Sequence, residues 1–223
     1  MSDTLRDPRL KALLAELHAK SEAQDSVTAE YFRTRPREGR AVYPQMDAGD
    51  HAHFADKLVA LEPDKAEFCY VLCRAMRATR IVELGTSFGV STIYLAAAVR
   101  DNGGGVVIGT ENEAAKIAAA RASFTAVGLA DLIDLRAGDV RETLKHIEGP
   151  IDFVLFDIWW EAVGPALDLL LPHLHRGSVV CADNTAGRPL GYRALFEVLD
   201  DPSHGFHTTT LPFRGGFEMA VKS

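Results

Sequence analysis

Apolar side chains recur along residues 8–35 at Leu10, Leu13, Leu14 and Leu17, then at Val27, Tyr31 and Phe32, with a break near Ser26. This spacing predicts two amphipathic helices. Between Arg35 and Asp50 the residues Pro36, Gly39, Pro44 and Gly49 interrupt a charged stretch, which reads as a loop. Pro63 suits the start of a further helix, with Phe68, Val71, Leu72 and Met76 expected on one face. From residue 80 the pattern changes to short apolar runs alternating with helical segments.

Strands are expected at 80–84, 105–110, 132–137, 151–157 and 177–182, with helices at about 90–100, 112–127, 140–147, 163–174 and 190–200. Crossovers of that length fit parallel pairing in a doubly wound α/β sheet covered by helices on both faces. Burial on two sides explains continuous runs such as Ile151-Asp152-Phe153-Val154-Leu155-Phe156. The tail departs from this rhythm. His207-Thr208-Thr209-Thr210-Leu211 and Phe217-Glu218-Met219-Ala220-Val221 flank a Pro- and Gly-bearing turn, a hairpin signal that brings the expected sheet to seven strands.

Composition narrows the partners. With 223 residues, 47% hydrophobic, the chain suits one ordinary globular domain, with room for a small appendage. Its 24 basic and 31 acidic residues give a net charge of −7, which disfavours a general nucleic-acid or anionic-membrane binder. Cys69, Cys73 and Cys181 are odd in number and lie in apolar segments, so they read as buried thiols of a cytoplasmic protein. No apolar leader follows Met1, and no run has the length of a membrane span.

Ligands of open α/β sheets bind at the carboxyl ends of the strands. Here the first strand runs into Val82-Glu83-Leu84-Gly85-Thr86-Ser87-Phe88-Gly89-Val90-Ser91. Gly85 and Gly89 permit close approach of a ligand, and the following helix start can receive a carboxylate. The spacing is not that of a dinucleotide turn, and no basic residue is present to hold a pyrophosphate, so a nucleoside fits better. Glu111 ends the second strand where ribose hydroxyls are held in such folds. Gly138-Asp139 follows the third, suited to an adenine edge or to capping a helix. Asp157, Asp183 and Asn184 form an oxygen-only set at the fourth and fifth strand ends, the donor type chosen by Mg²⁺ or Ca²⁺. Trp159 and Trp160, the two tryptophans of the chain, could wall a flat acceptor or fill the sheet edge.

From about residue 60 to the C-terminus the chain resembles the small class I S-adenosylmethionine-dependent O-methyltransferases of the catechol and caffeoyl-CoA group. The resemblance is carried by Leu61-Glu62-Pro63 through Phe68, Val82-Glu83-Leu84-Gly85 with Gly89 and Ser91, Thr110-Glu111, Ala137-Gly138-Asp139, Phe156-Asp157 with Trp159, and Cys181-Ala182-Asp183-Asn184. It implies that Glu83, Gly85, Ser87 and Ser91 hold the methionine portion of S-adenosylmethionine and that Leu61 contacts the cofactor. Glu111 would bind the ribose, while Gly138, Asp139 and Val140 line the adenine. Asp157, Asp183 and Asn184 match the divalent-metal ligands, with Asp157 also beside the cofactor. Residues 1–60 would then be a helical cap over the substrate or a dimer-forming segment, and 61–223 the cofactor-binding domain of a homodimer.

Two positions depart from the family pattern. Trp160 stands where the family has a lysine general base, and Ile158 where the mammalian catechol enzyme has a histidine. The expected activity is metal-assisted O-methylation of a small aromatic or similar diol, because a coordinated cation lowers the pKa of a bound hydroxyl. A base would have to come from elsewhere, such as His51, His53, Lys57 or Glu161. A metal-independent N- or O-methyltransferase and a non-catalytic S-adenosylmethionine-binding protein are the alternatives.

Overall fold

The computed structural model describes residues 3–34 and 47–223. The first helix, α1 (Pro8–Glu22), has Pro8 in its first turn and is capped by Asp7, whose carboxylate accepts from the Arg9 and Leu10 amides. Leu10, Leu14 and Leu17 are buried against the main core, as their spacing predicts. α2 (Asp25–Thr34) forms after a break at residues 23–24, yet none of its residues is fully buried. Most of the loop expected over 35–50 lies outside the described residues. Its end is helical: α3 (Ala48–Phe54) starts in a reciprocal capping box between Asp47 and Asp50.

α4 (Pro63–Ala75) begins at Pro63 as expected, and Phe68, Leu72 and Met76 pack against the core, but the fully buried stripe lies beside them. Val71 is 60% exposed, while Lys65, Ala66, Cys69 and Cys73 are buried. The helix therefore turns Lys65, Cys69 and Cys73, spaced four apart, toward the sheet.

Seven strands form one sheet: β1 (Arg80–Leu84), β2 (Val106–Glu111), β3 (Ile133–Ala137), β4 (Ile151–Phe156), β5 (Leu174–Asp183), β6 (Phe206–Leu211) and β7 (Phe217–Lys222). Their order is β3-β2-β1-β4-β5-β7-β6. The first five pair in parallel, and β7 inserts antiparallel between β5 and β6. The sheet is thus mostly parallel with the terminal hairpin expected from the sequence.

The helices α5 (Val90–Asp101), α6 (Ala114–Ala126), α7 (Val140–Thr143), α8 (Val163–Leu170) and α9 (Arg193–Asp200) complete the layers. Alternate residues of β4 divide between the two faces: Phe153 and Leu155 pack with α1, α4 and α5, Val154 and Phe156 with α8 and α9. The three cysteines are free and buried. Among the described residues no helix is long and apolar enough to cross a membrane.

Candidate functional site

β1 and β4 are neighbours whose connections leave in opposite directions, the switch point at which open sheets bind ligands. Leu84 pairs with Phe156, so the residues after them, Gly85 and Asp157, emerge side by side. A Cβ on Gly85 would lie 2.0 Å from the Asp157 carbonyl oxygen, and its φ of +93° favours glycine independently. A cleft opens above this contact, lined by Leu61, Gly85, Ser87, Ser91 and Asp157 among others.

Glu83 lies beneath the cleft and is fully buried. Its Oε2 accepts from the Thr86 hydroxyl at 2.9 Å and from Thr92, while Oε1 has no hydrogen-bond partner. Burial raises its carboxyl pKa, against the lowering effect of the Ser91, Thr92 and Thr86 hydroxyls. A buried acceptor left open by the chain's own groups takes its donor from water or from a ligand.

The adjoining acids have backbone work. Glu111 accepts from the Ser87 amide at 2.7 Å, the Asn112 amide at 2.7 Å and the Glu113 amide at 2.9 Å, tying the glycine turn to the end of β2. Asp139 caps α7 through the Arg141 amide at 2.8 Å and pairs with the Arg141 guanidinium. Gly138, at φ +127°, donates to the Glu111 carbonyl, and the side chain of Val140 is buried beneath α8.

Asp157 is the carboxylate of the site with no hydrogen bond or ion pair to its side chain among the described residues. Burial, followed by repulsion from Asp183 and Glu83, pushes its pKa well up. Asp183 is 4% exposed and accepts from the Lys65 ammonium at 2.5 Å on Oδ1 and from the Asn184 amide at 3.0 Å on Oδ2. Lys65 also pairs with Glu62 at 2.8 Å, and Arg214 in the β6–β7 turn reaches Glu62 at 3.1 Å.

Asp157, Asp183 and Asn184 are oxygen donors of the kind a hard divalent cation takes, while no group of three or more His, Cys, Asp or Glu side chains placed to hold a metal occurs among the described residues. Asp157 has no direct ion pair, and only the field of Lys65 opposes its repulsion from Asp183 and Glu83; Asp183 keeps Oδ2 beside Asn184, and the amide can present oxygen by rotating, since its two ends are nearly isosteric. Lys65 has no role in the reading of the sequence. Its position four and eight residues before two buried cysteines was the available signal.

Trp159 is partly exposed and meets Phe54 of α3, ring centroids 5.3 Å apart, and His51 edge-on at 6.4 Å. Trp160 instead packs on Gly191, where a Cβ would lie 2.1 Å from its indole, and joins the α8/α9 side of the core. Of the candidate bases, His51 pairs with Glu161 at 3.0 Å beside Trp159, and Lys57 pairs with Asp56 at 2.5 Å. His53 stacks on Tyr31 at 3.8 Å.

The switch-point cleft, its glycine turn and the β5-β7-β6 ending define a Rossmann-like methyltransferase fold. Residues 82–185 match a family described as a methyltransferase domain. A catechol O-methyltransferase of Mycobacterium tuberculosis is 29% identical over 127 residues, covering 56% of this chain and 57% of that protein. The chain thus spans little more than half the length of this curated relative. An O-methyltransferase from Bacillus cereus, solved in complex with S-adenosylhomocysteine, superposes with a TM-score of 0.69 at 22% identity, over 91% of this chain and 99% of that one. The O-methyltransferase TomG from Streptomyces achromogenes, solved with S-adenosylmethionine, gives 0.67 at 23% identity, over 92% and 99%. Residues 82–185 thus resemble a methyltransferase domain, on a fold shared with solved O-methyltransferases.

Proposed function

We propose that the chain methylates a hydroxyl of a small aromatic, catechol-like or similar diol acceptor, using S-adenosylmethionine and a divalent cation. The observation that carries the reading is the Glu83 carboxylate, buried with Oε1 unpartnered and bonded to Thr86, a residue that lines the same cleft as Asp157. An amine donating to Glu83 and a sulfonium above Asp157 would supply the positive charge that both groups lack. Ser87 and Ser91 would complete the methionine end, Glu111 the ribose, and Gly138, Asp139 and Val140 the adenine.

S-adenosylmethionine contributes a methyl carbon open to in-line displacement, so the chain's task is alignment in a dry site. Leu61 and the α4 entry cover the cleft, and Trp159 with Phe54 offers an aromatic wall to the acceptor. Asp157, Asp183 and Asn184 would hold the divalent ion, which lowers the pKa of an acceptor hydroxyl and so reduces the need for the base that Trp160 does not supply. His51, oriented by Glu161, is placed to take a proton at the rim of that wall.

In this reading residues 1–60 cap the acceptor side or form a dimer contact, and 61–223 bind the cofactor in a cytoplasmic homodimer with no nucleic-acid or membrane partner. The test is methyl transfer to a catechol panel with Mg²⁺ and after EDTA, beside calorimetric titration with S-adenosylhomocysteine. Turnover undiminished by chelation would refute the metal's part. Failure to bind S-adenosylhomocysteine would refute the whole reading.

A further inference from the structure

A fully buried lysine joins the cation site to the hairpin turn. Charges alternate along the contacts Arg214, Glu62, Lys65 and Asp183, with Lys65 Nζ 2.8 Å from Glu62 and 2.5 Å from Asp183. An ammonium has three donors and no acceptor, so Lys65 cannot ligate a cation. It can act on one only by holding Asp183 in place or by repelling the incoming charge.

These two effects have opposite signs. Losing an outer partner of a metal ligand typically costs ~10- to 100-fold in affinity. Repulsion between a unit charge and a divalent ion sharing one carboxylate exceeds that, even at the screening found in protein sites. Glu62 partly neutralises Lys65 and moderates the repulsion.

We infer that Lys65 is a resident counter-cation that positions Asp183 while keeping the divalent site weak, so that the Glu62–Lys65 pair tunes how readily the ion binds. The inference rests on the reading that Asp157, Asp183 and Asn184 hold a divalent ion. Its readout is binding of Mn²⁺ alone to the protein loaded with S-adenosylhomocysteine, followed by calorimetry and by the paramagnetic resonance of free Mn²⁺.

Lys65→Met should bind Mn²⁺ at least about tenfold more tightly than wild type, since the repulsion removed outweighs the lost support of Asp183. Adding Asp183→Asn to it should abolish the gain. Glu62→Gln, at a partly exposed position, should bind Mn²⁺ about threefold or more weakly, because Lys65 loses its second counter-charge. Equal or weaker binding by Lys65→Met overturns the inference, as does unchanged or tighter binding by Glu62→Gln. If Lys65→Met fails to fold, Glu62→Gln decides alone. Absence of Mn²⁺ uptake by every form that still binds S-adenosylhomocysteine removes the metal reading and this inference with it. Loss of S-adenosylhomocysteine binding by wild type identifies failure of the cofactor reading instead.

Discussion

Replacing Glu83 by glutamine should make the empty protein more stable and the loaded one less so. The carboxylate is completely buried and two hydroxyls address one oxygen, leaving Oε1 without a partner. Each pKa unit by which a native carboxyl exceeds its unfolded value costs about 1.4 kcal/mol of stability at pH above both. Glutamine keeps an acceptor for Thr86 and Thr92 and removes that cost, so a gain of about 1 kcal/mol is expected at neutral pH. The same change removes a hydrogen bond between a charged acceptor and a ligand amine, worth about 1.5–3 kcal/mol, or roughly 10- to 150-fold in affinity. Thermal unfolding and calorimetry with S-adenosylhomocysteine read the two effects separately.

The pH dependence has a definite sign. The native Glu83 carboxyl lies above its ordinary value of 4.5, so the native state keeps a proton that the unfolded chain has released. Stability is therefore highest below 4.5 on account of this group and falls as pH rises through the native pKa. Asp157, raised above 3.8, adds a slope of the same sign. Glu83→Gln should flatten the profile without levelling it. Binding of S-adenosylhomocysteine by the variant within about twofold of wild type, or a loss of more than about 2 kcal/mol by its empty form, would refute this role, since neither fits a buried carboxylate awaiting a cationic donor.

Two further substitutions probe the turn and the acceptor wall. Gly85→Ala would set a methyl against the Asp157 carbonyl at a left-handed φ; by urea unfolding it should cost about 2–4 kcal/mol and also weaken cofactor binding. A loss below about 1 kcal/mol would show that the two strand ends can separate. Trp159→Ala should raise KM for a catechol about tenfold while leaving S-adenosylhomocysteine affinity unchanged, because its ring meets Phe54 and His51. Equal loss of both affinities would place the indole on the cofactor instead.

The sheet was legible because burial on both faces leaves unbroken apolar runs, as in 151–156, and because the tail alternates around a turn of Pro and Gly. The α4 face was read only in part: Phe68, Leu72 and Met76 do pack on the core, while Val71 does not. Ranking positions by hydropathy selects Val71, which the fold leaves exposed, and passes over Lys65, which it buries. A lysine enters a core only where carboxylates meet it, and here one of them, Asp183, is 118 positions away. Pattern along one helix cannot contain that information; the pairing of β4 with β5 does.

Trp160 shows the same limit. Its place in the sequence invites a chemical role, whereas Gly191 supplies a flat surface on which the indole packs. The strand-end acids, conversely, separate once their partners are known. Asp139 is engaged in capping α7, and Asp183 is matched by Lys65. Glu111 gives three acceptor positions to backbone amides; a carboxylate offers about four, which leaves one for a ribose hydroxyl. Glu83 and Asp157 alone among the five have neither an ion pair nor a backbone amide on the side chain among the described residues, and burial raises the pKa of both. Folding would ordinarily remove such groups, since an uncompensated buried carboxylate costs stability and gains nothing within the chain. On adjacent strands at the switch point they stand where a cationic ligand would offset that cost, as the proposed sulfonium cofactor would.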